Sequence, residues 1–367
     1  MSFLSVFNMA DINFSQGRIK NFVIFISISA IILAAFNVYN SRFRLPTPKS
    51  EKESSQSQSS RQPQSGSLSE SMPKFPVLYR SRGVLEAEVI YDEPSIYGKV
   101  TVFDYRGYIR ALMIDGVTQG TWNFYKSISA TYTHDISLFL EIYSRLYKGR
   151  DILIIGLGGG GLLKELKGSD FKIDVAEIDP KVVKAAKKFF LLPDNLSYEI
   201  FVDDGRHFLR KTDKKYDIII FDLCDIFDSN AHLWTKEAFQ LAKAKLKTKD
   251  SVFIAALNVF RGGDKHHLDG MVANTLGENF KNLYFTDPSI KINPNEFTVV
   301  DFFASDTPVN LSFFSQNISI EKWKFDKSYP GIRDDDISKI VKYYFPVAEE
   351  LRKQTVKNFG FSFISPK

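Results

Sequence analysis

The chain is poor in the residues that make covalent or metal scaffolds. Its single cysteine, Cys224, rules out an intrachain disulfide, which suits a reducing compartment. Its five histidines, His134, His207, His232, His266 and His267, show no ligand spacing with cysteine or paired acids, so nothing points to a metal. There is also little excess charge. A formal net charge of +5 over 367 residues, with basic residues scattered among acids, gives no basic stripe and no case for nucleic acid. Internal repeats are absent. What remains is 44% hydrophobic content, enough for a sizeable core in one large or two modest domains.

Long apolar runs are scarce, with one exception. After an N-terminal tail at 1–20, residues 21–41 carry no charge and are bracketed by Lys20 and Arg42, with FVIFISISAIILAAF at their centre. Roughly 20 such residues cross a bilayer as a helix, so a single-pass transmembrane anchor is expected; a cleaved signal or transit sequence and a buried core helix are the alternatives. Arg42, Arg44 and Lys49 after the span slightly outnumber Arg18 and Lys20 before it, which favours a cytoplasmic location for the C-terminal remainder of the chain. Residues 42–76 hold serine, glutamine, proline and charge with few apolar groups, so a disordered linker is expected there. Sequons at Asn195, Asn310 and Asn317 would be used only if the domain were lumenal.

From residue 77 the pattern has two parts. Between 77 and 130, VLEAEVIY, YGKVTVFDY and YIRALMID alternate apolar and polar positions with turn residues between, which predicts a small antiparallel β-sheet domain. YTHDISLFLEIYSRLY has helical spacing. Between 131 and 305 strand-like runs then alternate with helical ones: DILIIG, KIDVAEID, SYEIFVDD, KYDIIIFD and SVFIAALNV, with PKVVKAAKKFF and TKEAFQLAKAKLK between them. This predicts an α/β, Rossmann-like parallel sheet with helices on both faces, whose ligand lies beyond the carboxyl ends of the strands. Residues 306–367 read as a C-terminal helical extension interrupted at Pro346.

Five glycines in six positions follow the first of these strands. Gly156, Gly158 and Gly161 fit G-x-G-x-x-G between a strand and a helix, where a tight turn brings free N–H groups close to a ligand. A packing turn with no ligand is the plain alternative. Glu177 ends the second strand 21 positions after Gly156, where a carboxylate can accept ribose hydroxyls. Asp203, Asp204 and Gly205 close the third strand, and Asp222 and Asp225 the fourth. So many carboxylates around one cleft suit a sulfonium or polyamine and would repel the pyrophosphate of a dinucleotide. The field of Asp222 and Asp225 also argues against a thiolate at Cys224.

These motifs together carry a resemblance. IDGVTQ at 114–119, YTHD at 132–135, ILIIGLGGGG at 152–161, VAEIDP at 175–180, DDGRHFL at 203–209, YDIIIFDLCD at 216–225 and HLWTKEAF at 232–239 resemble the polyamine aminopropyltransferases, the spermidine and spermine synthase family, over residues 85–305. The resemblance implies a class I methyltransferase-like domain and an S-adenosyl co-substrate, decarboxylated S-adenosylmethionine or S-adenosylmethionine, with no permanently bound cofactor. By position it implies that Gly156, Gly158, Gly159, Glu177, Asp204 and Gly205 hold the donor. Asp222 would take the amine proton. Asp225, Gln119 and Tyr132 would bind the polyamine, with His134 a further candidate contact. Family habit also suggests a homodimer. Three positions depart from the pattern. Gly159 stands where the family has the aspartate that recognises the aminopropyl amine, Gly98 follows Tyr97 in place of glutamine, and DLCDI replaces D-S-S-D-P. The plain glycine turn also occurs in methyltransferases. Aminopropyl transfer, methyl transfer to a protein or small amine, and a non-catalytic binding module therefore stand as three readings.

Overall fold

The computed structural model describes residues 79–80, 86–224, 230–260, 267–286, 297–314 and 318–334, except 106, 125–126, 128 and 327. All of them fall in one compact unit. The expected membrane span at 21–41, the linker, Asp225 and the helices expected between 336 and 353 lie outside the described residues. Among those described, no helix is long and apolar enough to cross a membrane.

The alternating segment folds as a meander. β2 (Glu86–Ser95), β3 (Gly98–Tyr105), β4 (Ile109–Ile114) and β5 (Val117–Asn123) pair antiparallel in order, with the two-residue β1 (Tyr79–Arg80) on the free edge of β2. The turns demand left-handed backbone, supplied by Gly107, Gly116 and Asp115. α1 (Thr131–Tyr147) follows and ends on Lys148 in the left-handed conformation.

Beyond it lie β6 (Asp151–Ile155), α2 (Gly161–Glu165), β7 (Lys172–Glu177), α3 (Pro180–Phe189), β8 (Ser197–Val202), α4 (Gly205–Lys211), β9 (Ile218–Cys224), α5 (Lys236–Ala244), β10 (Val252–Phe260), α6 (His267–Gly277), β11 (Asn282–Thr286), β12 (Phe297–Ser305) and β13 (Ile320–Lys322). They form one sheet in the order β13-β11-β12-β10-β9-β6-β7-β8. The five strands from β10 to β8 are parallel. β12 runs antiparallel between β10 and β11. The segment from 287 to 296 is too short for the crossover that a parallel return requires, so the strand reverses. Of the C-terminal extension, the described part carries a 3-10 turn at Leu311–Phe313 and the edge strand β13, not an α-helix.

Strands buried on both faces read as continuous apolar runs, and here they do. Ile152, Ile154, Ile218, Ile220, Ile254 and Phe303 face α1, while Leu153, Ile155, Ile219, Phe221 and Phe253 face α4, α5 and α6. The small sheet packs on α3 through Tyr91, Val100, Val102 and Leu112 against Val182, Ala185, Phe189 and Phe190. Arg110 also donates to the Phe189 carbonyl at 2.6 Å. The strand order reverses between β6 and β9, and such a switch point opens a crevice above the carboxyl ends of the strands.

Candidate active site

A cavity of about 650 Å³ occupies that crevice. Its wall on the β6 side is the glycine turn. Gly156 has φ of 100°, and a Cβ there would lie 2.3 Å from the Asp222 carbonyl oxygen. A Cβ on Gly158 would lie 2.3 Å from the Gln119 carbonyl oxygen, and one on Gly120 2.7 Å from the Gly159 nitrogen. The glycines thus do two things at once: they turn the chain toward a ligand, and they let β5 of the small sheet lie backbone to backbone on that turn. Both halves of the fold build the cavity.

Glu177, at the tip of β7, is 8% exposed. Its carboxylate accepts the N–H groups of Leu157 and Asp179, each at 2.9 Å, which fixes its orientation beside the glycine turn. Burial pushes its carboxyl up to about 7 against those hydrogen bonds. Asp204 caps α4 by accepting from the His207 N–H at 2.8 Å, and its other oxygen lies 2.7 Å from His232 Nε2. Burial raises this carboxyl, but the bonds from His232 and His207 outweigh it and hold it below the usual range. The Arg206 guanidinium grips Asp334 through two nitrogens at 2.7 and 2.6 Å and donates to the His232 carbonyl at 3.1 Å, so the 230–235 segment is braced against the Asp204 turn.

Asp222 closes β9, and the Tyr132 hydroxyl of α1 donates to its Oδ1 at 2.9 Å. Gln119 reaches the same space from β5. The structure therefore gathers Gln119, Tyr132, Gly156, Gly158, Gly159, Glu177, Asp204, Gly205 and Asp222 around one cavity. His134 is not among its lining residues. Two helical positions beyond Tyr132 it points to the opposite side of α1, where Nδ1 lies 3.4 Å from Glu165. Sequence reading therefore placed His134 at the pocket when it belongs to the α1–α2 contact.

Several lining residues escaped the sequence reading. Tyr97 sits on the β2–β3 turn; burial, and then the charges of Asp179, Asp204 and Glu177, raise its phenol, so it is a neutral donor facing the acids. Asp179 and Asn258 also line the cavity. Asn258 follows the rule that located the acids, a polar residue near the carboxyl end of an apolar strand. Behind Gly159, buried Lys164 donates to the Gly159 carbonyl at 2.6 Å and lies over the rings of Trp122 and Phe190. Burial lowers its ammonium to about 7.

The fold is thus that of S-adenosylmethionine-dependent transferases of the class I methyltransferase type. It overlays a probable spermidine synthase from Corynebacterium glutamicum ATCC 13032 with a TM-score of 0.53 at 14% identity, covering 68% of this chain and 93% of that one. A spermidine synthase in complex with the transition state analogue AdoDATO overlays with a TM-score of 0.51 at 21% identity, covering 73% and 89%. Residues 132–286 match the spermine/spermidine synthase domain. Polyamine aminopropyltransferase 2 of Aquifex aeolicus (strain VF5) is 31% identical over 186 residues, 48% of this chain and 36% of that protein. The polyamine aminopropyltransferase of Sulfurisphaera tokodaii is 28% identical over 238 residues, 60% and 77%, and that of Prochlorococcus marinus (strain MIT 9301) 32% identical over 177 residues, 46% and 60%. Residues 132–286 thus match that synthase domain, and the chain is similar to the polyamine aminopropyltransferases, while it spans as little as about a third of the length of the relatives it matches.

Proposed function

We propose that the protein moves an aminopropyl group from decarboxylated S-adenosylmethionine to a polyamine such as putrescine. The observation that carries this reading is the Tyr132–Asp222 pair set in the same cavity as Glu177 and Asp204. Glu177 would accept the donor's ribose hydroxyls, and Asp204 with Gly205 would hold the adenine edge. The acids around the cavity favour a cationic sulfonium over an anionic ligand. A neutral amine attacks the carbon beside the sulfonium, the C–S bond breaks, and a neutral thioether leaves. The attacking nitrogen gains charge, and Asp222 accepts its proton; Tyr132 keeps the carboxylate aimed. Gln119 and Asp225 would contact the acceptor.

A second reading has an observation of its own. At Gly159 no side chain supplies a carboxylate, a Cβ would meet the Phe190 ring at 3.0 Å, and the Lys164 ammonium sits just behind. That corner favours a donor that keeps its own carboxylate, which is methyl transfer from S-adenosylmethionine. Titrating the protein with both donors separates the two: tighter binding of the decarboxylated donor supports aminopropyl transfer, tighter binding of S-adenosylmethionine supports methyl transfer, and binding of neither leaves a non-catalytic module. The domain would be held to a membrane through residues 21–41 on the linker 42–76, facing the cytoplasm.

A further inference from the structure

The sheet face that carries Asp222 holds a second acid with no part in the chemistry above. Asp222 on β9 pairs with Ala256 on β10, and Ala256 pairs with Asp301 on β12, so the three form one row across the sheet. The row lies under α1, on the face of Ile218, Ile220 and Phe303. Neighbouring strands are about 4.8 Å apart, which sets the two acids' backbone positions about 10 Å apart with only a methyl group between them. Asp301 is 0% exposed. Its Oδ2 accepts from the Thr286 hydroxyl at 3.1 Å, whereas its buried Oδ1 has no partner among the described residues. One side-chain row further along the strands, Asn258 and Val299 pair with each other and line the cavity, about 7 Å from the Asp301 row.

A fully buried carboxyl oxygen with no partner is costly and is seldom retained without an occupant. Burial first, and then the charges of Asp135 on α1 and of Asp222, hold the Asp301 carboxyl well above the usual range. Burial raises Asp135 as well. Two carboxyls held toward their protonated forms thus lie next to a cavity whose occupant carries amines on the reading above.

We infer that Asp301, with Asp135, is a second ammonium seat, which receives the far nitrogen of a linear diamine or polyamine whose near nitrogen lies at Asp222. The inference rests on the alkyl-transfer reading of the cavity. An ammonium brings the N–H donor that Oδ1 lacks, and its charge favours ionisation of the carboxyl it meets. Val299, which lines the cavity, gives the connecting methylenes an apolar wall. A monoamine, or the amino group of a protein chain, would leave the seat empty.

The test is titration of the full chain, saturated with 5′-methylthioadenosine, with 1,4-diaminobutane and with 1-aminobutane. The wild type is expected to prefer the diamine by about tenfold or more, since a hydrogen-bonded charge pair is at stake. Asp301→Asn is expected to remove most of that preference and to leave monoamine affinity in place. Asp135→Asn, on the partly exposed helix, is expected to weaken the preference too, and decides the matter if the Asp301 variant does not fold. Undiminished preference in the variants overturns the inference alone, and identifies Asp301 as a structural acid. Failure of the wild type to bind either amine overturns the acceptor reading and the inference with it.

Discussion

On the proposed reading Asp222 is the residue on which the chemistry turns, because among the described acids lining the cavity it combines a strand-tip position with a hydroxyl donor to one oxygen. Asp222→Asn keeps the shape and removes the proton acceptor. Turnover should fall by roughly 10²–10⁴ with donor affinity nearly unchanged, as rapid-mix kinetics and direct titration would show. Tyr132→Phe removes only the aim and should cost about tenfold. Glu177 gives a pH signature. Its carboxyl sits at about 7 in the folded protein against an ordinary 4.5, so the native state binds more protons than the unfolded chain between those values. Stability should therefore be full below about pH 4.5, fall as pH rises toward 7 and level off above. Ribose hydroxyls donate to the ionised form, so donor affinity should rise over the same window. Thermal melts and titrations from pH 5 to 8 check both, and Glu177→Gln should flatten the two curves.

At the scale of elements, the glycine turn and β5 act as one piece. Gly120→Ala would push a methyl into the Gly159 nitrogen, and Gly156→Ala would combine a clash with strained backbone. Each should destabilise by about 1–3 kcal/mol and weaken donor binding together with stability, measurable by denaturant unfolding with and without donor. Gly107→Ala, where a Cβ meets nothing within 4 Å, should leave donor binding untouched. The alternating strands and helices were legible because period 2 and period 3.6 differ sharply, and because acids at the ends of apolar strands are conspicuous. That rule brought Glu177, Asp204 and Asp222 to one place. It could not reach Tyr97, whose place depends on how the small sheet folds over the cavity, nor Asp301, which sits in the middle of a strand and joins the row of Asp222 only through the reversed pairing of β12. His134 was misplaced because a motif is linear, while a helix turns letters two apart to opposite sides.

At the scale of the whole molecule, the proposed membrane tether at 21–41 and the proposed cytoplasmic location can be tested through the sequons. Asn195 and Asn310 are both exposed. In a lumenal domain these sequons would be open to glycosylation, so the mature protein from eukaryotic cells should show no mobility shift on treatment with an N-glycosidase. A shift would reverse the orientation. The most direct test of the central claim, that an acid-lined cavity joins a sulfonium donor to an amine through Asp222, is mass-spectrometric detection of product. The full chain is incubated with decarboxylated S-adenosylmethionine and 1,4-diaminobutane, with Asp222→Asn alongside. The account predicts an aminopropylated diamine and 5′-methylthioadenosine in equal amounts from the wild type and almost none from the variant. Equal product from both would contradict it.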